Sequence, residues 1–269
     1  MNKNIEVDNV EGTKKYEINK IKGENISTLE DIVVIEYPFT IFINDEELLT
    51  LLCSPKSLKY LTVGFLYSEG FIESFSDIKN IRIDEEKGIA YIYLKEEKKL
   101  AEKLYGKRTI TSGCGKGTVF YNVIDSFKTK AINKNLSIKS KDIIKLMRQF
   151  NKKSELFLNT GGVHSCAIAN LNDIIIFEED IGRHNALDKA IGKALIQNVV
   201  LTDKIVLTSG RISSEILIKA AKNQIPVVVS KSAPTNLAVE MARELKILLI
   251  GFVRGEKMNI YSRFPSIIF

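Results

Sequence analysis

A chain of 269 residues that is 45% hydrophobic has enough apolar material for one large domain or two modest ones, which excludes a disordered polymer. Its Lys and Arg (39) outnumber Asp and Glu (33), a modest positive balance that helps anions approach; without Trp or an aromatic-and-basic recognition motif it does not denote nucleic acid. The basic start has no apolar stretch behind it, no segment is long and apolar enough to span a bilayer, and Cys53, Cys114 and Cys166 are scattered and odd in number, so the expectation is a cytoplasmic protein without membrane or disulfide framework.

Residues 1–105 read as a β-rich N-terminal domain with one helix, its strands forming an antiparallel layer. Ile32–Ile35 and Thr40–Ile43 are expected strands, the second stopped by Asn44-Asp45. Ser54-Pro55 has the pattern of a helix start, Gly70 that of its stop, and Leu58, Leu61, Phe65 and Leu66 between them make an apolar stripe at helical spacing. Ile78–Ile83 and Ile89–Leu94 should pair as a hairpin around Glu85–Gly88. The lysine-rich runs 95–103 and 128–141 are read as solvated faces.

Thr111-Ser-Gly-Cys-Gly-Lys-Gly-Thr118 carries too much glycine for a helix or a core strand and reads as a loop. It presents Cys114 between glycines, with Lys116 and Arg108 close in sequence. Cations favour the thiolate, the form that attacks or carries sulfur, so Cys114 is the candidate nucleophile.

Residues 106–269 alternate strand and helix and are expected to form an α/β domain, a mixed sheet covered by helices. A helix from Ser140 to about Asn151 is followed by expected strands at Leu156–Leu158, His164–Ala169 and Ile174–Phe177. The helix from about His184 to Gln197 leads to strands at 204–207, 227–229 and 247–250, with helices at 212–222 and 238–245 between them. In such sheets ligands lie beyond the carboxyl ends of the strands, where helix N-termini favour anions. Two loops at such ends are built alike, Ser209-Gly-Arg-Ile-Ser-Ser214 and Ser230-Lys-Ser-Ala-Pro-Thr-Asn236. Capping explains one serine in each but neither Arg211 nor Lys231, and Ser209, Arg211, Ser230 and Lys231 read as a phosphate cradle. Glu179, Asp180, Arg183, His184 and Asn185 crowd a third strand-to-helix junction and suit recognition of a polar heterocycle. His164 and Cys166, two apart on a strand, lack the Cys-x-x-Cys pair and glutamate of a zinc deaminase, so no metal ligands are assigned.

These residues together resemble the formate dehydrogenase accessory sulfurtransferase family (FdhD), from roughly Val34 to the C-terminus. The similarity is carried by Ser54-Pro-Lys-Ser-Leu58, Gly64-Phe-Leu-Tyr-Ser-Glu-Gly70, the Cys114 loop, Thr160-Gly-Gly-Val-His164, Glu179–Lys189, Ser232-Ala-Pro-Thr235 and Gly251-Phe-Val-Arg254. The resemblance implies a core similar to the cytidine deaminase fold without its zinc, a homodimer, and a persulfide received on Cys114 from a cysteine desulfurase. It further implies that the sulfur passes to the molybdenum bis(molybdopterin guanine dinucleotide) cofactor, which guanine nucleotide would mimic, for formate dehydrogenase. Phe252, Val253, Arg254, Gly255, Glu256 and Lys257 fall at the family's C-terminal cofactor-binding stretch.

The chain departs from the family where many members have Cys-x-x-Cys: here Gly117 stands at the second cysteine's place, and Cys166 or a thiol from another subunit is the candidate substitute. Three readings follow: a sulfur carrier, a cofactor-binding chaperone without sulfur chemistry, and, by fold analogy alone, a base deaminase.

Overall fold

The computed structural model describes residues 11–96, 132, 136–263 and 267–268. The Cys114 loop and the expected boundary at 105/106 lie outside them. Strands β1 (Thr13–Lys22) and β2 (Asn25–Val34) form a separate antiparallel ribbon. Next, β3 (Tyr37–Ile43) and β4 (Glu46–Cys53) turn through Asn44 and Asp45, at φ 49° and 68°; the left-handed region they occupy suits a two-residue hairpin. Helix α1 (Leu58–Ser68) leads to β5 (Ile78–Asp84) and β6 (Ile89–Leu94).

The expected N-terminal strands, helix and β5–β6 hairpin are present, but the layer is not wholly antiparallel. Strand order is β4-β3-β6-β5, with β6 parallel to β3, because the α1 crossover brings the second hairpin alongside the first. The helix also starts later than Ser54-Pro55 suggests. It begins at Leu58 behind Ser57, which sits at φ 62°, while Ser54 is held elsewhere by Asp180 and Lys189. Gly70, at φ 80°, follows the helix end as expected.

The rest of the chain runs β7 (Ile138–Lys139), α2 (Ser140–Lys153), α3 (Glu155–Thr160), β8 (His164–Ala169), β9 (Ile174–Asp180), α4 (Arg183–Ile196), β10 (Ile205–Thr208), α5 (Ser214–Lys222), β11 (Val227–Ser230), α6 (Asn236–Glu244), β12 (Leu248–Arg254), β13 (Lys257–Ser262) and β14 (Ile267–Ile268). Residues 156–158, expected as a strand, belong to helix α3. Three apolar residues are too few for their period to separate the two states, and here Leu156 turns inward while Phe157 and Leu158 face solvent. Strands β1, β4 and β13 went unread, and of β2 only its end was anticipated, within the expected strand Ile32–Ile35; polar and charged residues interrupt the apolar pattern of β1, β2 and β13.

Six strands form the main sheet in the order β13-β12-β11-β10-β8-β9, with β10, β11 and β12 mutually parallel and the other three antiparallel to their neighbours. Alternation along the strands splits its side chains between two cores. Cys166, Ile168, Val206, Val228 and Leu249 join the cluster formed with α4, α5 and α6. Ala167, Leu207, Val229 and Ile250 meet Ile143, Leu146, Met147 and Phe150 of α2. The mixed α/β class expected from the strand–helix alternation is therefore the class observed.

Helix α1 joins the two parts of the chain. One side packs Leu58, Leu61 and Leu66 with Phe39, Ile41 and Ile92 of the four-stranded sheet. Its other side lies against α4 with backbone touching backbone: a Cβ on Gly64 would stand 1.8 Å from the Asp188 carbonyl oxygen, and one on Gly192 2.0 Å from that of Tyr60. Only glycine permits this approach. Replacing Gly64 by Ala should force the helices apart and destabilise the protein by at least about 1–3 kcal/mol, the usual cost of overpacking. The expected result is a lower urea midpoint at unchanged slope; a wild-type midpoint would show that the crossing has slack.

Candidate functional site

The topology gathers most of the residues singled out in the sequence at one edge of the main sheet. Parallel strands β10, β11 and β12 end there with Thr208, Ser230 and Arg254. Strand β8 runs the other way and begins there with His164, opposite Asp180 at the end of β9. Helices α4, α5 and α6 start just beyond, with their first N–H groups turned to the same edge.

The two similar loops lie side by side. The Ile212 N–H donates to the Ala233 carbonyl at 3.1 Å, the Thr235 N–H donates back to the Ile212 carbonyl at 2.9 Å, and the Lys231 N–H donates to the Thr208 carbonyl at 3.2 Å. Ser230 is buried; its hydroxyl donates to the Gly210 carbonyl at 2.7 Å and accepts from the Ser232 N–H, so it ties the loops together. Ser209 accepts from the Ser165 N–H at 2.9 Å and stands 3.3 Å from His164 Nδ1. Gly210 leaves no room for a side chain, since a Cβ there would meet Arg183 Cβ at 3.0 Å and His164 Nδ1 at 3.4 Å.

The crowded junction after β9 divides into two sets. Asp180 and Asn185 face the framework: Asp180 is fully buried, with Lys189 Nζ at 2.6 Å, the Ser54 N–H at 3.0 Å and the Ser54 hydroxyl at 3.2 Å on one oxygen. Its other oxygen accepts from the Gly182 N–H and Asn185 Nδ2, and Asn185 also donates to the Leu52 carbonyl. Glu179 likewise turns back, accepting from the N–H groups of Leu156 and Phe157 at the start of α3. Arg183 and His184 face the loops. His184 Nε2 is 2.9 Å from Glu215 and 3.4 Å from the Ser213 hydroxyl, and the hydrogen bond from His184 holds the Glu215 carboxyl below the usual carboxylate range.

Beyond Gly251, the stretch 252–257 forms the end of β12, the turn at Gly255 (φ 58°) and the start of β13. Val253 is buried, whereas Phe252 is exposed at φ 53°, a strained position for an aromatic residue. Arg254 Nε donates to the Lys231 carbonyl at 3.2 Å, so this stretch meets the second loop. Glu256 pairs with Arg148, and Lys257 lies opposite Arg254 in the hairpin.

Sequence reasoning missed three residues of this edge. His164 reaches it because β8 begins there, and Glu215 because α5 starts beside α4. Phe157 sits on α3 with Lys231 Nζ 5.5 Å from its ring centre. The spacing of His164 from Cys166 was the available signal for the first; nothing local marked the others. Burial and the neighbouring Arg183 and His184 push the His164 pKa down, so its ring is neutral at pH 7. Burial and Arg254 likewise depress the Lys231 ammonium.

The electrostatic balance is uneven. Among the described residues, Arg183, Arg211, Lys231 and Arg254 form no ion pair, and the buried Arg183 Nε has no hydrogen-bond partner. Loop hydroxyls, helix N-termini and unneutralised cations define a mixed α/β protein with a cationic edge. Cys53 and Cys166 are fully buried; burial raises the Cys53 thiol to about 12 and the Cys166 thiol higher still, so Cys166 cannot stand in for the cysteine absent at position 117.

The chain belongs to the FdhD/NarQ family, whose model matches residues 34–268. It is 48% identical over 240 residues to the sulfur carrier protein FdhD of Bacillus licheniformis, covering 89% of this chain and 91% of that protein. It is 44% identical to the protein of the same name from Bacillus subtilis strain 168, covering 90% of this chain and 92% of the relative. Among solved structures it is similar to a candidate formate dehydrogenase accessory protein from Desulfotalea psychrophila, with a TM-score of 0.77, 23% identity, and coverage of 95% of this chain and 99% of the other.

The Asp180–Lys189 pair positions Arg183 and His184 through the turn at Gly182. Replacing Lys189 by Met strands a buried carboxylate and should cost about 3–5 kcal/mol, whereas the double variant D180N/K189M, which removes both charges, should cost less than K189M alone. Urea denaturation of the set checks this; additive losses would refute the coupling.

Proposed function

We propose that this protein is a sulfur carrier that receives a sulfur atom on Cys114 and passes it to a molybdenum bis(molybdopterin guanine dinucleotide) cofactor held at the cationic edge. The observation that carries the reading is the set of four cations without an ion pair among the described residues, beside three helix N-termini, in a chain whose relatives are named sulfur carrier proteins. The cofactor enters as substrate. Its phosphates fit Arg183, Arg211, Lys231, Arg254 and the helix N-termini beside them, and Phe252 and Phe157 offer aromatic surface to a planar ring.

Cys114 takes the carrier role because the other two thiols are buried and kept protonated. Its thiolate attacks the outer sulfur of a persulfide on a cysteine desulfurase. The donor's S–S bond breaks, a new S–S bond forms on Cys114, and the donor cysteine leaves as thiolate. Lys116 and Arg108 stabilise both thiolate and persulfide. The product is delivered to formate dehydrogenase, and these events are assigned to the cytoplasm. Asp180, Asn185 and Ser230 act from behind, fixing the groups that meet the ligand.

Incubation with a cysteine desulfurase and cysteine should add one sulfur to the Cys114 peptide by mass spectrometry, and C114S should abolish both the adduct and formate dehydrogenase maturation. A C114S protein that still supports maturation would leave the chaperone reading, which the glycine at position 117 favours. Guanosine diphosphate, as a fragment of the cofactor, should raise the melting temperature, adding about 2.7 kcal/mol at a hundredfold excess over its dissociation constant. Loss of one charged hydrogen bond in R254A or K231A should weaken that binding about tenfold or more. Unchanged affinity in both variants would place the nucleotide elsewhere.

A further inference from the structure

The chain has two histidines, and both stand at this edge, each touching one end of the 209–213 loop. His164 Nδ1 lies 3.3 Å from the Ser209 hydroxyl, and His184 Nε2 lies 3.4 Å from that of Ser213. Their surroundings differ. Ser209 accepts from the Ser165 N–H and keeps its own proton for His164 Nδ1, while burial together with Arg183 and His184 holds that ring neutral. His164 is therefore a fixed neutral group with its proton on Nε2. His184 meets a carboxylate instead, with Glu215 Oε2 2.9 Å from its Nε2.

Glu215 sits in the first turn of α5, where the helix N-terminus favours negative charge, and the hydrogen bond from His184 keeps it ionised against the opposing effect of burial. An ionised carboxylate only accepts, so His184 Nε2 carries a proton in both charge states of the ring. Ser213 reaches the same nitrogen. A nucleophilic triad sets hydroxyl and acid on opposite ring nitrogens, so no activated serine arises here. The nitrogen left for a ligand is Nδ1, which has no hydrogen-bond partner among the described residues.

That nitrogen decides how the ring meets an anion. Unprotonated, Nδ1 is an acceptor and opposes a phosphate oxygen lone pair to lone pair; protonated, it donates a charge-assisted hydrogen bond. A carboxylate on Nε2 and a phosphate on Nδ1 both favour the second proton. The other charged groups about the pair are Lys219 from α5, His164 from β8, Asp180 at the end of β9, Arg183 on the same helix and Arg211 in the loop. Asp180 and Lys219 are already paired, with Lys189 and Asp188, and His164 is neutral. Arg183 and Arg211 thus oppose the second proton, and Glu215 with the bound anion offsets them.

We propose that Glu215 is a positioning residue of the cationic edge: it holds one proton of His184 on Nε2, so that Nδ1 takes up a second proton and donates to a diphosphate as it binds. The inference rests on the proposed use of this edge by phosphates and not on Cys114, so C114S should behave as wild type throughout. Calorimetric titration with guanosine diphosphate at about pH 7.5, in buffers of different ionisation heat, should show proton uptake by wild type that H184Q and E215Q lack. Between about pH 7 and about pH 8.5, above the phosphate's own titration near about 6, wild-type affinity should fall about threefold more than that of H184Q. Loss of a negative charge would by itself tighten anion binding, but E215Q should weaken it about threefold to tenfold at about pH 7, and E215D should recover part of the loss. Nitrogen NMR of the complex, with H164Q to assign the two rings, should show both nitrogens of His184 protonated. Tighter binding by E215Q, equal proton uptake in E215Q and wild type, a neutral His184 in the complex, or no binding of either guanosine diphosphate or inorganic pyrophosphate would each overturn the proposal. Proton uptake with pyrophosphate but no binding of guanosine diphosphate would support it while counting against the cofactor reading.

Discussion

The buried ion pair between Asp180 and Lys189 is the constraint on which the geometry of the site depends. Removing two charges from water costs several kcal/mol per ion, and attraction offsets this only when the remaining lone pairs and protons are satisfied. Here they are. Asp180 is met by Lys189, Ser54, Gly182 and Asn185, and Lys189 also donates to the Ser54 carbonyl and hydroxyl and the Glu179 carbonyl. The network spans the end of β9, the start of α4 and the segment before α1. Two regions distant in sequence, Ser54 and residues 179–189, therefore share one hydrogen-bonded point, and Arg183 and His184 project from it.

A second pair extends the clamp along α4. Asp188 accepts from Lys219 of α5 at 2.5 Å and from the Ser68 hydroxyl of α1 at 2.6 Å, while its own carbonyl lies against Gly64. Helix α4 thus meets α1 through backbone and α5 through charge, with Ala186, Ala190 and Ala194 contributing small side chains to the core on the sheet side. Rigidity of this kind suits a recognition edge, because loops anchored at both ends lose little further entropy when a ligand binds.

Much of this order was legible in the sequence, and the reasons it stopped are physical. Asn44-Asp45 announced the end of β3 because few residues tolerate positive φ, though not that β4 pairs back beyond it, and the parallel strands announced themselves as unbroken apolar runs. The 209–214 and 230–236 loops read alike in the sequence, and the structure lays them side by side. Sequence could not say which way a polar side chain turns. Asp180 and Arg183 are three residues apart at one crowded junction, yet one is consumed by the framework and the other faces the edge. Nor could it place His164, which arrives only because β8 runs against β10, or foresee β6 beside β3, a pairing set by the α1 crossover.

The distribution of charge distinguishes what the fold uses from what it leaves available. The buried acids are matched: Asp180 by Lys189, Asp188 by Lys219, and Glu178 by Lys193. The arginines and lysine of the edge have no such partners among the described residues, and burial together with the nearby Arg254 depresses the Lys231 ammonium. A single small anion could satisfy one loop, but the cations follow four successive chain ends, after β9, β10 and β11 and along β12. An edge charged over that span presents its positive field to an extended anion rather than at one point, which is the feature the proposed function rests on.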